Sequence, residues 1–459
     1  MSFLFCFALC ASFGIISNAE GSLTAFGTFG EDNNLTWKLY SDGELVIDGT
    51  GNMGTYGIGE VNATPWYLHN GDIVRVTIHE GVTNVGAYAF CDCTELVSVS
   101  LPWGLAEIKN HAFYRCSALR EVTIPASVTN IEGWAFEECS NLADISIPES
   151  VKKISDYAFR SCSSLRSIEI PAGITVLNNG LFTECSSLTT VTIPDSVTRI
   201  YNYVFKDCTS LESITIPDTV TNILGEVFYG CTSLKTVSLP EALTSLGNSA
   251  FYNCSSLESV TVPSRLTAIG QNTFGNCILL HQVELPTRLA TIGEHAFLNC
   301  KSLTSVILPE RVSSIGVGAF QACSALEGVR IPVKTTTIKE QAFEGCIALG
   351  HIYYGGTHEQ WSTVSIGSEN ESLANARIHC NAPAYVPDLV LPAELTRIEY
   401  EAFSGGMFTY VYVPASVKNI GPRAFADCSE LQYVEIASAA TEIDPKAFEG
   451  VGGLIIDTP

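Results

Sequence analysis

Along most of this chain, apolar side chains return to the same places every 23 residues. The segment LREVTIPASVTNIEGWAFEECSNL, Leu119 to Leu142, shows the pattern. Val122 and Ile124 alternate with Glu121 and Thr123, which predicts a short strand with one face in and one face out. Pro125 ends that strand, because proline has no amide hydrogen for a ladder. Val128 and Ile131 return the chain to the core. Ala135, Phe136, Cys139 and Leu142 then follow with a helix-like spacing, too short for more than two turns.

The period is strict. Phe recurs at a step of 23 from Phe90 to Phe343, and Cys follows three residues after each, from Cys93 to Cys346. Pro keeps the step from Pro102 to Pro332, and Leu from Leu96 to Leu349. A unit this small cannot bury its own apolar face, so a fixed period predicts a stack of coils with a shared core. A step of 23 lies within the leucine-rich-repeat range. The expected fold is an α/β solenoid, a right-handed array of about fifteen such coils with a small β cap at the N-terminus and one irregular break.

The organisation follows the pattern. Residues 1–19 read as a signal peptide, since Met1 to Ile16 are apolar or small and uncharged and Ser17-Asn18-Ala19 suits a signal peptidase. Residues 20–70 lack the repeat and hold a hairpin around Ser41-Asp42-Gly43, a β cap for the first coil. Twelve regular repeats span 71–350, an irregular insertion spans 351–386, and three repeats span 387–459. Within the insertion Ile366 stands where the next Phe would fall, and the stretch from Pro383 to Pro387 looks like a joint. Repeats resume with Phe403, Phe425 and Phe448. The chain shows no later apolar run or terminal sorting signal, so an exported, soluble protein is expected.

Charge narrows the partners. A net charge of −24 argues against nucleic acid and anionic membrane. The hydrophobic content of 46% is enough for a continuous core. Four N-x-[ST] sequons, at Asn34, Asn62, Asn253 and Asn370, matter only in a eukaryotic secretory pathway.

Chemistry is sparse. Gly49-Thr50-Gly51-Asn52-Met53-Gly54 matches G-x-G-x-x-G, but Thr55-Tyr56-Gly57-Ile58-Gly59 follows it and cannot open a helix, so it reads as a glycine-rich turn. No two of the eight His form a close ligand pair. Outward strand positions such as Ser98, Ser100, Glu121, Thr123, Asp144 and Ser146 form a ladder of hydroxyls and carboxylates suited to a solvated sheet face. Catalytic residues, cofactor and metal are therefore expected to be none. The Cys ladder reads as buried free thiols, because stacked side chains point in parallel and a disulfide needs a dihedral near 90°. Cys91 and Cys380, outside the ladder, are the candidate reactive pair.

The unit L-x-x-V-x-I-P-x-x-V-T-x-I-x-x-x-A-F-x-x-C resembles the BspA-like leucine-rich-repeat family, carried here by Leu119, Val122, Ile124, Pro125, Val128, Thr129, Ile131, Ala135, Phe136 and Cys139. The front piece with Leu35-Thr36-Trp37 and Pro65-Trp66-Tyr67, and the piece from Tyr353 to Cys380, are similar to segments that accompany these repeats. The resemblance implies a secreted or cell-surface protein of bacteria or protozoa that binds host or partner-cell proteins, such as an extracellular-matrix or cell-surface protein. The alternative is a structural spacer or surface antigen with no ligand of its own.

One position distinguishes the units. Two residues before the repeat Phe stand Tyr88, His111, Trp134, Tyr157 and, after Gly180, Tyr203. The same position later holds Glu226, Ser249, Asn272, His295, Gly318 and Gln341. A core position would stay apolar, so this one is expected at the surface, with an aromatic stripe in the N-terminal half. Aromatics with a polar tip are favoured in protein interfaces. Tyr88, His111, Trp134, Tyr157 and Tyr203 are the candidate partner-binding residues, with Glu137 and Glu138 tuning specificity.

Overall fold

The computed structural model describes residues 21–30, 32–59, 62–380 and 389–458. The expected signal peptide and the Pro383–Pro387 joint lie outside these residues. The chain divides into two compact units, Met1–Pro240 and Glu241–Pro459.

In the first unit each coil carries two short strands. Glu121–Thr123 pairs in parallel with Asp144–Ser146, and Asn130–Ile131 with Lys153–Ile154, each at a shift of 23 residues. The step in sequence is thus the step in register. Val122 and Ile145 point inward, and their neighbours on both sides are exposed. Where a hydroxyl stands two residues after the proline, it ties one coil to the one before: Ser127 Oγ donates to the Leu105 carbonyl at 2.6 Å, and Ser150 Oγ to that of Val128 at 2.7 Å.

The third limb, with the helix-like spacing, is made of turns. Trp134, Phe136 and Glu138 donate their amides to Asp156, Ala158 and Arg160 of the next coil. Those amides are then unavailable for bonds within a helix. Trp134 and Glu138 also take left-handed backbone angles, with φ of 55° and 59°. The limb still buries what the pattern places inside: Ala135, Phe136, Cys139 and Leu142 are fully covered. Phe113, Phe136 and Phe159 stack with ring centres 5.2 and 5.4 Å apart.

Three antiparallel strands, Leu23–Phe29, Leu35–Tyr40 and Glu44–Gly49, precede the first coil, and the last pairs in parallel with Arg75–Ile78. Trp66 stacks on Phe90 at 5.8 Å and donates its indole N–H to the Ala89 carbonyl at 3.0 Å. It does for Phe90 what a preceding Phe does elsewhere. The Gly49–Gly54 stretch is not the expected turn: it runs extended alongside residues 81–84, with Gly51 bridged to Val82 and the Met53 amide donating to Asn84 Oδ1 at 2.8 Å.

The second unit repeats the scheme up to Leu349, and the break that follows is itself a coil. His351–Tyr354 pairs with Gly328–Ile331, Ser365–Ile366 with Thr337–Ile338, and Arg377–His379 with His351–Tyr353. The coils therefore number about sixteen rather than fifteen. Ile366 occupies the strand position of Ile338 and is 43% exposed; the place of the Ala-Phe backbone falls to Asn370. Asn370 Oδ1 accepts the Phe343 amide at 2.9 Å, and its Nδ2 donates to the Lys339 carbonyl at 2.9 Å. Helix is scarce. Among the described residues it is confined to the helices His358–Trp361 and Glu371–Asn375 and the 3-10 turn Tyr67–Asp72. The first is closed by a capping box between Thr357 and Gln360.

After residue 388 the strands Leu389–Val390, Tyr410–Val413, Tyr433–Ile436 and Ile455–Asp457 form a second parallel sheet. Phe403, Phe425 and Phe448 stack behind it at 5.2 and 5.3 Å. Over its two central strands the outward face does not meet solvent as the regular coils do. It packs on the outward face of Gly328–Ile331, His351–Tyr354 and Arg377–His379, so that Gly328–Ile331, Tyr410–Val413 and Tyr433–Ile436 are buried on both sides.

Candidate functional site

The position two residues before Phe is shaped by backbone. In every unit from Tyr88 to Gln341 it has a left-handed conformation, with φ between 51° and 65°. That conformation carries each side chain alongside the same position of the next coil. Tyr88 and His111 stack at 4.5 Å, His111 and Trp134 at 5.1 Å, and Trp134 and Tyr157 at 5.7 Å, with planes within 14° of parallel. The stack ends at Gly180 for a steric reason. A Cβ there would sit 2.0 Å from the Tyr157 ring. Tyr203 lies beyond that gap, with Lys206 Nζ 5.4 Å from its ring centre.

All five predicted residues are half-buried, not core. Ring faces cover one another, and the edges remain toward solvent. His111 lies deep enough that burial lowers its pKa, and its Nδ1 has no hydrogen-bond partner. Burial also raises the Tyr157 hydroxyl. The stack is therefore uncharged at neutral pH.

The expected role of Glu137 is not available to it. Its side chain is 7% exposed and pairs with Arg160 at 3.1 Å. Burial raises its pKa, with Arg160 opposing. Glu138 pairs with Arg115 at 3.1 Å. The acids beside the stripe are thus matched by bases one coil away. Arg115 lies over the Tyr114 ring at 4.7 Å, and Lys206 over Tyr229 at 4.4 Å. Reading down the column two residues after Phe, where Asp92, Arg115 and Glu138 follow one another, would have exposed this alternation.

The outward sheet face carries the expected hydroxyls and carboxylates. Asp144, Ser146, Ser167, Glu169, Thr190 and Thr192 line a groove of about 550 Å³. Cys91 and Cys380 are not activated: burial first, then Asp92, pushes the Cys91 thiol up to about 12, and burial raises Cys380. Among the described residues, no group of three or more His, Cys, Asp or Glu is placed to hold a metal ion. Nor is any helix there long and apolar enough to cross a membrane.

Repeat, coil and stripe define a leucine-rich-repeat solenoid. The chain belongs to the BspA-type leucine-rich-repeat family, whose repeat region matches residues 66–189, 175–302, 244–370 and 377–455. A leucine-rich-repeat protein from Bacteroides ovatus is similar at 27% identity over 76% of this chain and 98% of its own, with a TM-score of 0.57. A leucine-rich cell surface protein from Faecalibacterium prausnitzii shares 27% identity over 74% of this chain and 98% of its own, with a TM-score of 0.42. The pneumococcal vaccine antigen PcpA shares 20% over 79% and 98%, with a TM-score of 0.42. No curated protein matches the chain.

Proposed function

We propose that this chain is a non-enzymatic, exported leucine-rich-repeat protein that binds a matrix or cell-surface protein of a host or partner cell. In this reading Tyr88, His111, Trp134, Tyr157 and Tyr203 form the contact edge. The observation that carries it is the stack of four rings held at the spacing of the coils. A fixed array of aromatic edges loses little side-chain entropy on binding, so more of its contact energy reaches the complex. Arg115 and Lys206 border the stack and offer charge for orientation. Export rests on the apolar, uncharged segment from Met1 to Ile16.

A second reading is a spacer or surface antigen, in which the rings only shield the coil beneath. The double substitution Trp134→Ser and Tyr157→Ser separates the two. Binding to a panel of matrix proteins and intact cells is expected to fall at least about tenfold, the loss of one or two interface anchors. The melting temperature is expected to stay within a few degrees, because the rings are half-buried and the Phe stack behind them is intact. Full binding by the double variant would place the contact elsewhere. A chain that binds nothing on the panel, before or after substitution, would favour the spacer.

A further inference from the structure

Where the two outward sheet faces of the second unit meet, the residue types change. Regular coils place Ser, Thr and Glu there, as in Ser305 and Ser259. The facing strands place His351, Tyr353 and His379 on one side, and Tyr410, Tyr412, Tyr433 and Glu435 on the other. The contact is closed by a chain of hydrogen bonds. His351 Nδ1 lies 2.9 Å from His379 Nε2, His379 Nδ1 bonds Glu435 Oε1, and the Tyr410 hydroxyl donates to Glu435 Oε2 at 2.6 Å. Arg377 crosses the same seam, donating from Nη1 to the Tyr412 hydroxyl at 2.6 Å.

We propose that the His351–His379–Glu435 chain is an acid-sensitive latch: it holds the outward face of the C-terminal repeats against strands 328–379, and acid releases the two faces and uncovers their tyrosines. This does not rest on the binding role proposed above. Proton counting supplies the mechanism. With Glu435 ionised, His379 donates from Nδ1 and accepts at Nε2 from His351 Nδ1–H, and every bond is made with both rings neutral. One added proton is also accommodated: His379 then donates from both nitrogens and His351 accepts. A second added proton leaves an N–H on each ring pointing at the other, and the bond between them is lost.

The surroundings oppose that second charge. On its own face His351 shares a cavity with Glu327 and Tyr353 and faces Arg377 and His379. The opposing face brings Tyr412 edge-on at 5.2 Å, with Tyr410 and Glu435 behind it. Burial foremost, then His379 and Arg377, hold His351 down to about 4, with Glu435 working the other way. Open faces would return it to the ordinary value of about 6.5. The closed contact is thus at full strength above pH of about 6.5 and weakens as pH falls toward about 4. At pH of about 4.5 the ratio of open to closed rises by up to about eightyfold.

Hydroxyl-radical footprinting of the full chain, read by mass spectrometry, tests this. At pH of about 7.5, Tyr353 and Tyr410 are expected to be shielded. At about 4.5 their oxidation should rise at least about fivefold, while Tyr354, which faces the core from the same strand, stays protected. His351→Gln takes no proton, yet its amide can donate to or accept from His379 Nε2, and it should stay shielded at both values. Glu435→Gln removes the counter-charge and should move release to higher pH, an independent arm should the His351 variant fold poorly. Equal shielding of the native chain at both pH values would overturn the latch. So would the same acid response in His351→Gln, an unmoved release pH in Glu435→Gln, or loss of Tyr354 protection together with Tyr353.

Discussion

Phe205 is fully buried, with the rings of Phe182 and Phe228 at 5.8 and 5.6 Å on its two faces. Phe448 is half-buried and stacks on Phe425 at 5.3 Å. The same substitution should therefore cost different amounts. Phe205→Ala is expected to remove about 3–5 kcal/mol, because two neighbouring coils border the cavity and neither can collapse into it. Phe448→Ala should cost about half of that or less, since its site already opens to water. Urea unfolding of the two variants measures the difference, and equal losses would contradict a stacked core. Both residues were legible from the period. The left-handed backbone two positions earlier was not. That position holds Tyr, His, Trp, Glu, Ser, Asn, Gln and Gly, and so carries no residue-type signature of its conformation.

At the scale of the element, the Cys ladder shows how a turn limb satisfies a buried column. From Cys116 onward, thiols of the ladder donate to a carbonyl 26 residues earlier: Cys139 to Phe113 at 3.1 Å, Cys162 to Phe136 and Cys185 to Phe159 at 3.2 Å. Burial raises these thiols well above the ordinary range. Thiolate, the reactive form, is therefore scarce. The folded chain is expected to react slowly with a thiol reagent up to pH of about 9, near the ordinary thiol pKa, and the denatured chain rapidly and completely without added reductant. Paired ladder cysteines in a mass spectrum would refute this. The hydrophobic column was readable from spacing, and its helix-like look was misleading. Spacing reports which residues face inward. It does not report whether an amide bonds within its own coil or to the next, and here alternate amides go to the next.

Over the whole molecule, each coil mainly contacts the coils beside it, so stability is close to a sum of coil and interface contributions. Removing residues 190–212, one full period, should join Thr189 to Ser213 in the same register and preserve the stack. The melting temperature is expected to fall by no more than several degrees. Removing 22 residues instead should be far more damaging, because a one-residue slip turns inward side chains outward. Circular dichroism melts of the two deletions decide it. The break after Leu349 illustrates the same tolerance. Five extra residues separate Ser365 from Thr337 compared with the regular step, yet the strands pair and Asn370 restores the missing bonds.

The period, the inward and outward columns and the family could all be read from the order of the residues. Each of these depends only on residues one repeat apart, and parallel pairing in register converts sequence distance directly into spatial neighbourhood. Tertiary structure alone decided the left-handed turns and the meeting of two sheet faces around His379 and Glu435. His379 and Glu435 are 56 residues apart and share no repeat relation. No local pattern encodes such a contact: it forms only once the coils on either side exist and bring their faces together.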